Sequence, residues 1–397
     1  MEPLPYETCD GSFSLKERGI IDMITRIING IEFDIDINKA NELYFPADFN
    51  RSINSTGITD ILFAFYNAKK EYTPESLFIE LTGQCNFNCP FCYIHNCRGA
   101  RDRKFKPFSE IKKDIDFLLS SGLITCTISG GECLLHPDFK ELYRYLKENG
   151  VLVTILSNLT LLNSEVLDLF LELPPYKIDV TIYAMNDTSM QVITGQNTYS
   201  YNLVLDNVLS LKKNCINVTC KTPINTFTKS EIDDIRSWCE TYDIPYFTSM
   251  EVFETYDGKS MEQYSMTKEE VLTDRIEAKI AKGNTTTTDK KRKINFDCKG
   301  GQYGLFISYE YSLRPCMPFY SVPEANFQIG PEGIENALER MKEFINKYKN
   351  TPLKYCEGCF HSNLCDLCII TQLSGMNTKK LVQENCLALH RFDKAST

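Results

Sequence analysis

The stretch QCNFNCPFCYIHNC, residues 84–97, carries four cysteines, Cys85, Cys89, Cys92 and Cys97. Three thiolates in one short loop can hold three irons of a cubane [4Fe–4S] cluster, which cysteine sulfur ligates. The fourth iron is then open to a substrate or cofactor unless Cys97 or a distant residue caps it. Two plainer readings stand beside this one. One is a zinc site, although zinc loops usually show paired C-x2-C knuckles. The other is a set of thiols buried in a core. The chain on either side has to decide.

Working outward, the whole chain has 397 residues and 17 cysteines, with 43 Lys and Arg against 53 Asp and Glu, a net charge of −10. That balance does not suit the neutralisation of phosphates, so nucleic acid is not an expected partner. The one tight basic run, DKKRK at 289–293, reads as a solvated loop. The start, MEPLPYETCDGSF, shows no basic segment followed by an apolar one, so no signal peptide is expected. No apolar run is long enough to span a membrane. The expected location is cytoplasmic, where disulfides are rare and dense cysteines point to metal.

Residues 76–257 carry a repeating pattern. Short runs rich in β-branched residues, SLFIELT (76–82), ITCTISG (124–130), LVTILSN (152–158), KIDVTIY (177–183), INVTCKT (216–222) and PYFTSME (245–251), read as strands. Helix candidates lie between them: FSEIKKDIDFLLSSG, FKELYRYLKENG, SEVLDLFLEL, SYNLVLDNVLSLKKN and SEIDDIRSWCETY. Strand–helix alternation predicts parallel strands with crossover helices, and six units suit an α/β fold with a partial (β/α)6 barrel. Active sites of such folds lie at the C-terminal strand ends. The distinctive residues fall there: Cys85–Cys92, Gly130-Gly131-Glu132, Ser157-Asn158, Thr181 with Tyr183, and Lys221 with Asn225.

Outside this block the chain reads differently. In residues 1–75, LKERGIIDMITRIING predicts an amphipathic helix ending at Gly30, and ITDILFAFYNAKK a shorter one, so this part is expected to be a mainly helical extension. Residues 258–295 are polar and lysine-rich and read as a linker. Residues 296–397 are loop-rich, with one clear helix at 334–348, and hold Cys298, Cys316, Cys356, Cys359, Cys365, Cys368 and Cys386. A zinc-binding tail is the plainer reading of that region.

The motifs together resemble the radical S-adenosylmethionine (SAM) superfamily over about residues 76–250. C-x3-C-x-aromatic-C, with Phe91 as the aromatic, resembles its cysteine signature. SGGECLLHPDF (129–139) is similar to its GGE motif, with Cys133 where Pro is common. SNLT (157–160) resembles the usual TNGT, and VTIYAMND…VITG (180–195) resembles the fourth-strand segment of the peptide-modifying branch. The resemblance implies that Cys85, Cys89 and Cys92 ligate a [4Fe–4S] cluster and that SAM chelates its open iron, leaving Cys97 outside. It also implies SAM contacts from Phe91, from Gly130, Gly131 and Glu132 to the methionine amino group, from Ser157 and Asn158 to ribose, and from Thr181 and Lys221 to ribose or carboxylate. Lys221 reads equally as a partly exposed strand residue.

The C-terminal cysteines resemble the SPASM extension, which carries two auxiliary [4Fe–4S] clusters. Carried over by position, Cys356, Cys359, Cys365 and Cys386 complete one cluster, and Cys298, Cys316 and Cys368 supply three ligands of the other. The pattern departs from the family twice: the Cys365–Cys368 spacing is one residue short, and Tyr311 stands where Gly is usual. The cofactors implied are SAM and three [4Fe–4S] clusters. The chemistry implied is reductive cleavage of SAM to a 5′-deoxyadenosyl radical, fed by a one-electron reductant such as flavodoxin or ferredoxin.

The implied substrate is a ribosomally made precursor peptide, and the implied product a Cys thioether or other crosslink. One alternative is radical oxidation of a sulfatase or small molecule. Formylglycine formation expects an Asp directly after the second auxiliary cysteine, and Met317 follows Cys316. The non-enzyme alternative is an iron–sulfur electron carrier or zinc protein, which needs no SAM pocket. Precursor-recognition domains start with a strand hairpin. Residues 1–75 read as helices and a polar stretch, so leader recognition is not expected there.

Overall fold

The computed structural model describes residues 74–94, 105–250, 252–267, 270–271, 273 and 300–348 except 302, together with strands at 23–28 and 31–36. Its centre is a run of six parallel strands in sequence order: β3 (Ser76–Glu80), β4 (Thr125–Ser129), β5 (Leu152–Ser157), β6 (Lys177–Thr181), β7 (Val218–Pro223) and β8 (Tyr246–Ser249). Every strand predicted from β-branched composition is present. The connecting helices are α1 (Phe108–Ser121), α2 (Phe139–Glu148), α3 (Ser164–Glu172), α4 (Asp187–Thr194), α5 (Tyr201–Lys213) and α6 (Ile232–Thr241). α4 was not expected, because DTSMQVIT is short and only partly apolar.

Register explains how the strands divide their two faces. Leu77, Ile79, Ile128, Val153, Ile155, Ile178 and Val180 are at most 1% exposed. They alternate with a second, polar set, as period-two geometry requires. Glu80 lies opposite Ser129, Thr127 opposite Thr154, and Thr181 opposite Lys221. Helix α1 buries Phe108, Ile111, Ile115 and Leu118 on one stripe, at helical spacing. It stops at Gly122, whose φ of 115° permits the left-handed cap that closes it.

The sheet does not end at β3. Strand β9 (Gly304–Ile307) pairs parallel to it, with Ser76 opposite Gly304 and Ile79 opposite Ile307. β10 (Ser312–Arg314) and β11 (Phe327–Gln328) follow antiparallel, making nine strands from β11 to β8. These three strands were not expected in a segment read as loop-rich. The helix at 334–348 was, and it is present as α7 (Ile334–Tyr348). Cys298, Cys356, Cys359, Cys365, Cys368, Cys386 and Cys97 lie outside the described residues, as does most of the predicted linker.

At the N-terminus the helical expectation is corrected. Residues predicted to end a helix at Gly30 instead form an antiparallel hairpin, β1 (Met23–Ile28) with β2 (Ile31–Asp36), Ile28 opposite Ile31. MITRII and IEFDID are rich in β-branched residues, and their antiparallel pairing outweighs the helical spacing of the same apolar positions. The second predicted helix of this segment, at ITDILFAFYNAKK, lies outside the described residues.

Candidate active site

The cysteine loop leaves the C-terminal end of β3 and is seated by backbone contacts. Gly131 N–H donates to Thr82 O at 2.7 Å, and Glu132 N–H to Gln84 O at 2.8 Å. A Cβ on Gly130 would stand 2.4 Å from Thr82 O, and one on Gly131 2.1 Å from Gln84 O. Only glycine lets the two chains come this close. From the other side, Asn88 N–H donates to Thr194 O at 2.7 Å, and a Cβ on Gly195 would meet Asn88 O at 2.7 Å. The unexpected helix α4 thus braces the cysteines with its C-terminal end.

Within the loop Cys89 is buried, and Cys85 and Cys92 are half-buried. Burial pushes the Cys89 thiol well above its ordinary range, and the charges of Cys92 and Cys85 push it further. The Tyr183 side chain is hydrogen-bonded to Cys89 and opposes this rise. Among the described residues no three His, Cys, Asp or Glu side chains already stand in metal-holding geometry. What the loop offers is a donor set: three sulfurs that feel one another's charge, a repulsion that bound iron relieves. Three cysteine sulfurs from one loop fit an iron–sulfur cluster. Phe91 packs between Tyr183 and Phe227, with ring centroids 6.1 Å from each, and anchors the loop to the core.

Glu132 is fully buried. Its carboxylate accepts from Ser157 Oγ at 2.8 Å, Asn158 N at 2.8 Å and Leu134 N at 3.1 Å. Burial raises its pKa, and these donors pull it back down. Cys133, in the place of the usual proline, points its thiol at Glu132 Oε1 and Leu156 O. Asn158 Nδ2 donates to Asn86 Oδ1 at 2.9 Å, and Asn86 Nδ2 donates to Thr160 Oγ1 at 2.7 Å. Glu132, Ser157, Asn158, Asn86 and Thr160 therefore form one connected network that ties the ends of β4 and β5 to the cysteine loop. Sequence reasoning did not single out Asn86 or Thr160. Their signal was position: one directly follows Cys85 and the other closes SNLT.

Thr181 ends β6, whereas Lys221 lies opposite it inside β7, two residues before that strand ends at Pro223, and not at the strand end expected from sequence. The Lys221 ammonium is bound by Asp179, which also takes Lys177 at 3.0 Å. Asn225 is buried, and its Oδ1 accepts from Phe227 N and Thr228 N, so it caps its own turn. Cys316 is half-buried at the start of the 317–321 turn.

A partial α/β barrel with a three-cysteine loop and a GGE turn at its strand ends is the arrangement of a radical SAM enzyme. Residues 79–240 match the family model described as the Radical SAM superfamily, so the chain carries that domain, which works with SAM and a [4Fe–4S] cluster. The chain is similar to the antilisterial bacteriocin subtilosin biosynthesis protein AlbA of Bacillus subtilis, 26% identical over 343 residues, covering 77% of this chain and 69% of AlbA. It is also similar to the sporulation killing factor maturation protein SkfB of the same organism, 25% identical, covering 42% of this chain and 40% of SkfB. In fold it matches Streptococcus suis SuiB bound to S-adenosylmethionine, with a TM-score of 0.56 and 14% identity, over 90% of this chain and 97% of SuiB. Among the described residues no helix is long and apolar enough to cross a membrane.

Proposed function

We propose that this radical SAM enzyme modifies a ribosomally made precursor peptide, forming a Cys thioether or other crosslink. One observation carries the reading. The similarity to AlbA runs over 77% of the chain, well beyond the radical SAM domain at 79–240. SuiB, which shares the fold, has been seen bound to its precursor peptide SuiA.

Cys85, Cys89 and Cys92 would hold the cluster, and the SAM-contacting positions remain those proposed at the strand ends: Phe91, Gly130, Gly131, Glu132, Ser157, Asn158, Thr181 and Lys221. When bound, cluster and SAM supply a radical able to remove hydrogen from an unactivated carbon. The protein's own task is placement. The glycines set the GGE backbone against the cysteine loop, and the Glu132 network holds the ends of β4 and β5. Lys221, once released from Asp179, is free to pair a carboxylate. Cys356, Cys359, Cys365 and Cys386 would complete one auxiliary cluster. Cys298, Cys316 and Cys368 would ligate a second with an open iron, suited to hold a substrate thiolate. A flavodoxin or ferredoxin would supply electrons.

The β1–β2 hairpin favours precursor recognition by residues 1–75, since it supplies the strand element such domains begin with. Removing residues 1–75 should then weaken precursor binding while leaving SAM cleavage in place; unchanged binding rejects this role.

Metal analysis after anaerobic reconstitution tests the cofactor reading. Three cubane clusters require about twelve irons per chain. About four irons with one or two zincs would keep the radical SAM core and remove the auxiliary clusters. With a Cys-containing precursor, the expected product is lighter by two hydrogens. SAM turnover without that mass loss defeats the crosslinking proposal.

A further inference from the structure

Glu80 ends β3 and faces the polar side of the sheet, one alternation beyond Phe78, which stacks on Phe306 of β9 at 5.2 Å. It is 2% exposed. Such burial of a carboxylate is costly unless hydrogen bonds offset it. Glu80 Oε1 accepts from Tyr93 Oη at 2.8 Å and from Tyr256 Oη at 2.7 Å, and Oε2 accepts from Tyr309 N at 3.1 Å. The donors lie 13, 176 and 229 residues away. They belong to three different segments: the cysteine loop, the stretch after β8, and the turn between β9 and β10.

The rings reinforce the same junction. Tyr256 stacks on Tyr309 at 5.5 Å and 9°, and lies 5.4 Å from Tyr93 and 5.3 Å from Tyr320. The Arg314 guanidinium, on a residue 2% exposed, sits 4.4 Å from the Tyr256 centroid. Tyr93 directly follows Cys92; Arg314 and Tyr320 flank Cys316. An apolar core would bury as much surface without fixing register. Three directed hydrogen bonds to one carboxylate fix both distance and orientation.

We propose that Glu80 is a positioning residue that, through Tyr93, Tyr256 and Tyr309, sets the placement of the cysteine loop relative to the segment bearing Cys316. This rests on the reading of Cys85, Cys89 and Cys92 as cluster ligands and of Cys316 as an auxiliary ligand. The peptide radical formed at the first site is then presented to the second at a fixed separation.

Glu80→Gln and Tyr256→Phe test this in the reconstituted full chain. Tyr256→Phe keeps the ring and removes only the hydroxyl, so it stands if Glu80→Gln fails to fold. Two readouts are taken: amide hydrogen exchange across 81–94 and 304–321, and modified peptide formed per SAM cleaved. Expected is faster exchange in both segments together, with iron content and SAM cleavage within about twofold of wild type. Product per SAM cleaved should fall by about tenfold or more, the scale of an ångström-sized misplacement. Exchange changes confined to the substituted segment, or an unchanged product ratio, overturn the proposal. If the wild-type protein binds no iron, the cofactor reading has failed instead, and the exchange pattern still decides whether Glu80 couples the two segments.

Discussion

Leu159 holds φ at +60° in the third position of SNLT, where the resembled motif has glycine. A side chain there costs roughly 1–2 kcal/mol. The residue is 1% exposed, and its N–H donates to Ser157 Oγ while its carbonyl accepts from Asn207. Burial of the leucine offsets the strain. At an ordinary site Ala is more stable than Gly by about 0.5–1 kcal/mol. Here Leu159→Gly should be at least as stable as Leu159→Ala in chemical denaturation; the ordinary order would show that the backbone relaxes. Tyr311 repeats the pattern, with φ at +61° in place of a family glycine. Its hydroxyl donates to Asp114 at 2.7 Å, and Lys106 sits 4.0 Å from its ring centroid. Tyr311 was read from sequence as a departure and Leu159 was not singled out, yet at both the backbone shape glycine serves is retained. Contacts made far along the chain hold it, and no local pattern could announce them.

Lys147 lies on the buried face of α2. It is 5% exposed, and burial lowers its pKa from 10.5 to about 8. The folded chain therefore binds this proton less readily than the unfolded one. Stability falls as pH drops from 10.5 to 8, and by pH 7 the loss is about 3 kcal/mol. Lys147→Met should raise the melting temperature at pH 7, and the gain should shrink as pH rises from 8 towards 10.5. A gain independent of pH would place its cause in packing rather than charge.

At the scale of elements, the cysteine loop is held between two glycine contacts on opposite sides. Gly131→Ala puts a methyl 2.1 Å from Gln84 O, which only backbone movement relieves. The expected result is loss of iron from the reconstituted protein before loss of helical content, read by iron per chain and circular dichroism on one sample. Asp114, on α1, reaches α7 in the same supporting way. Its carboxylate accepts from Ile334 N at 2.8 Å and from the Tyr311 hydroxyl. Asp114→Ala should cost about 1–2 kcal/mol from the lost cap alone, and Asp114→Asn, which keeps an acceptor, should cost less. The barrel strands and most of its helices were legible because they carry local signals: β-branched runs, helical spacing, and Ser or Asp near several helix starts. Cys85, Gly130, Gly131 and Glu132 were legible for a similar reason, since motif spacing is local. The hairpin at 23–36 was not, because its apolar residues satisfy helical spacing and strand composition at once. Nor were β9, β10 and β11, whose short runs acquire strand form only by pairing in turn, β9 with β3, β10 with β9 and β11 with β10.

At the scale of the molecule, the C-terminal segment is part of the barrel sheet. Phe306 stacks on Phe78, and β9 covers the outer edge of β3. A chain ended before Gly300 should therefore leave β3 as an unpaired edge and self-associate, visible by light scattering of the truncated protein; a monodisperse monomer would contradict this. The same pairing orders events during synthesis. Ser76 meets Thr125 of β4 early, but its partner on the other edge, Gly304, emerges 228 residues after it. At ribosomal speeds that is roughly 10–50 s during which β3 and its cysteines wait on an incomplete sheet. Through that interval the Glu80 contact to Tyr309 is missing, so the final placement of the cysteine loop waits for the C-terminal segment.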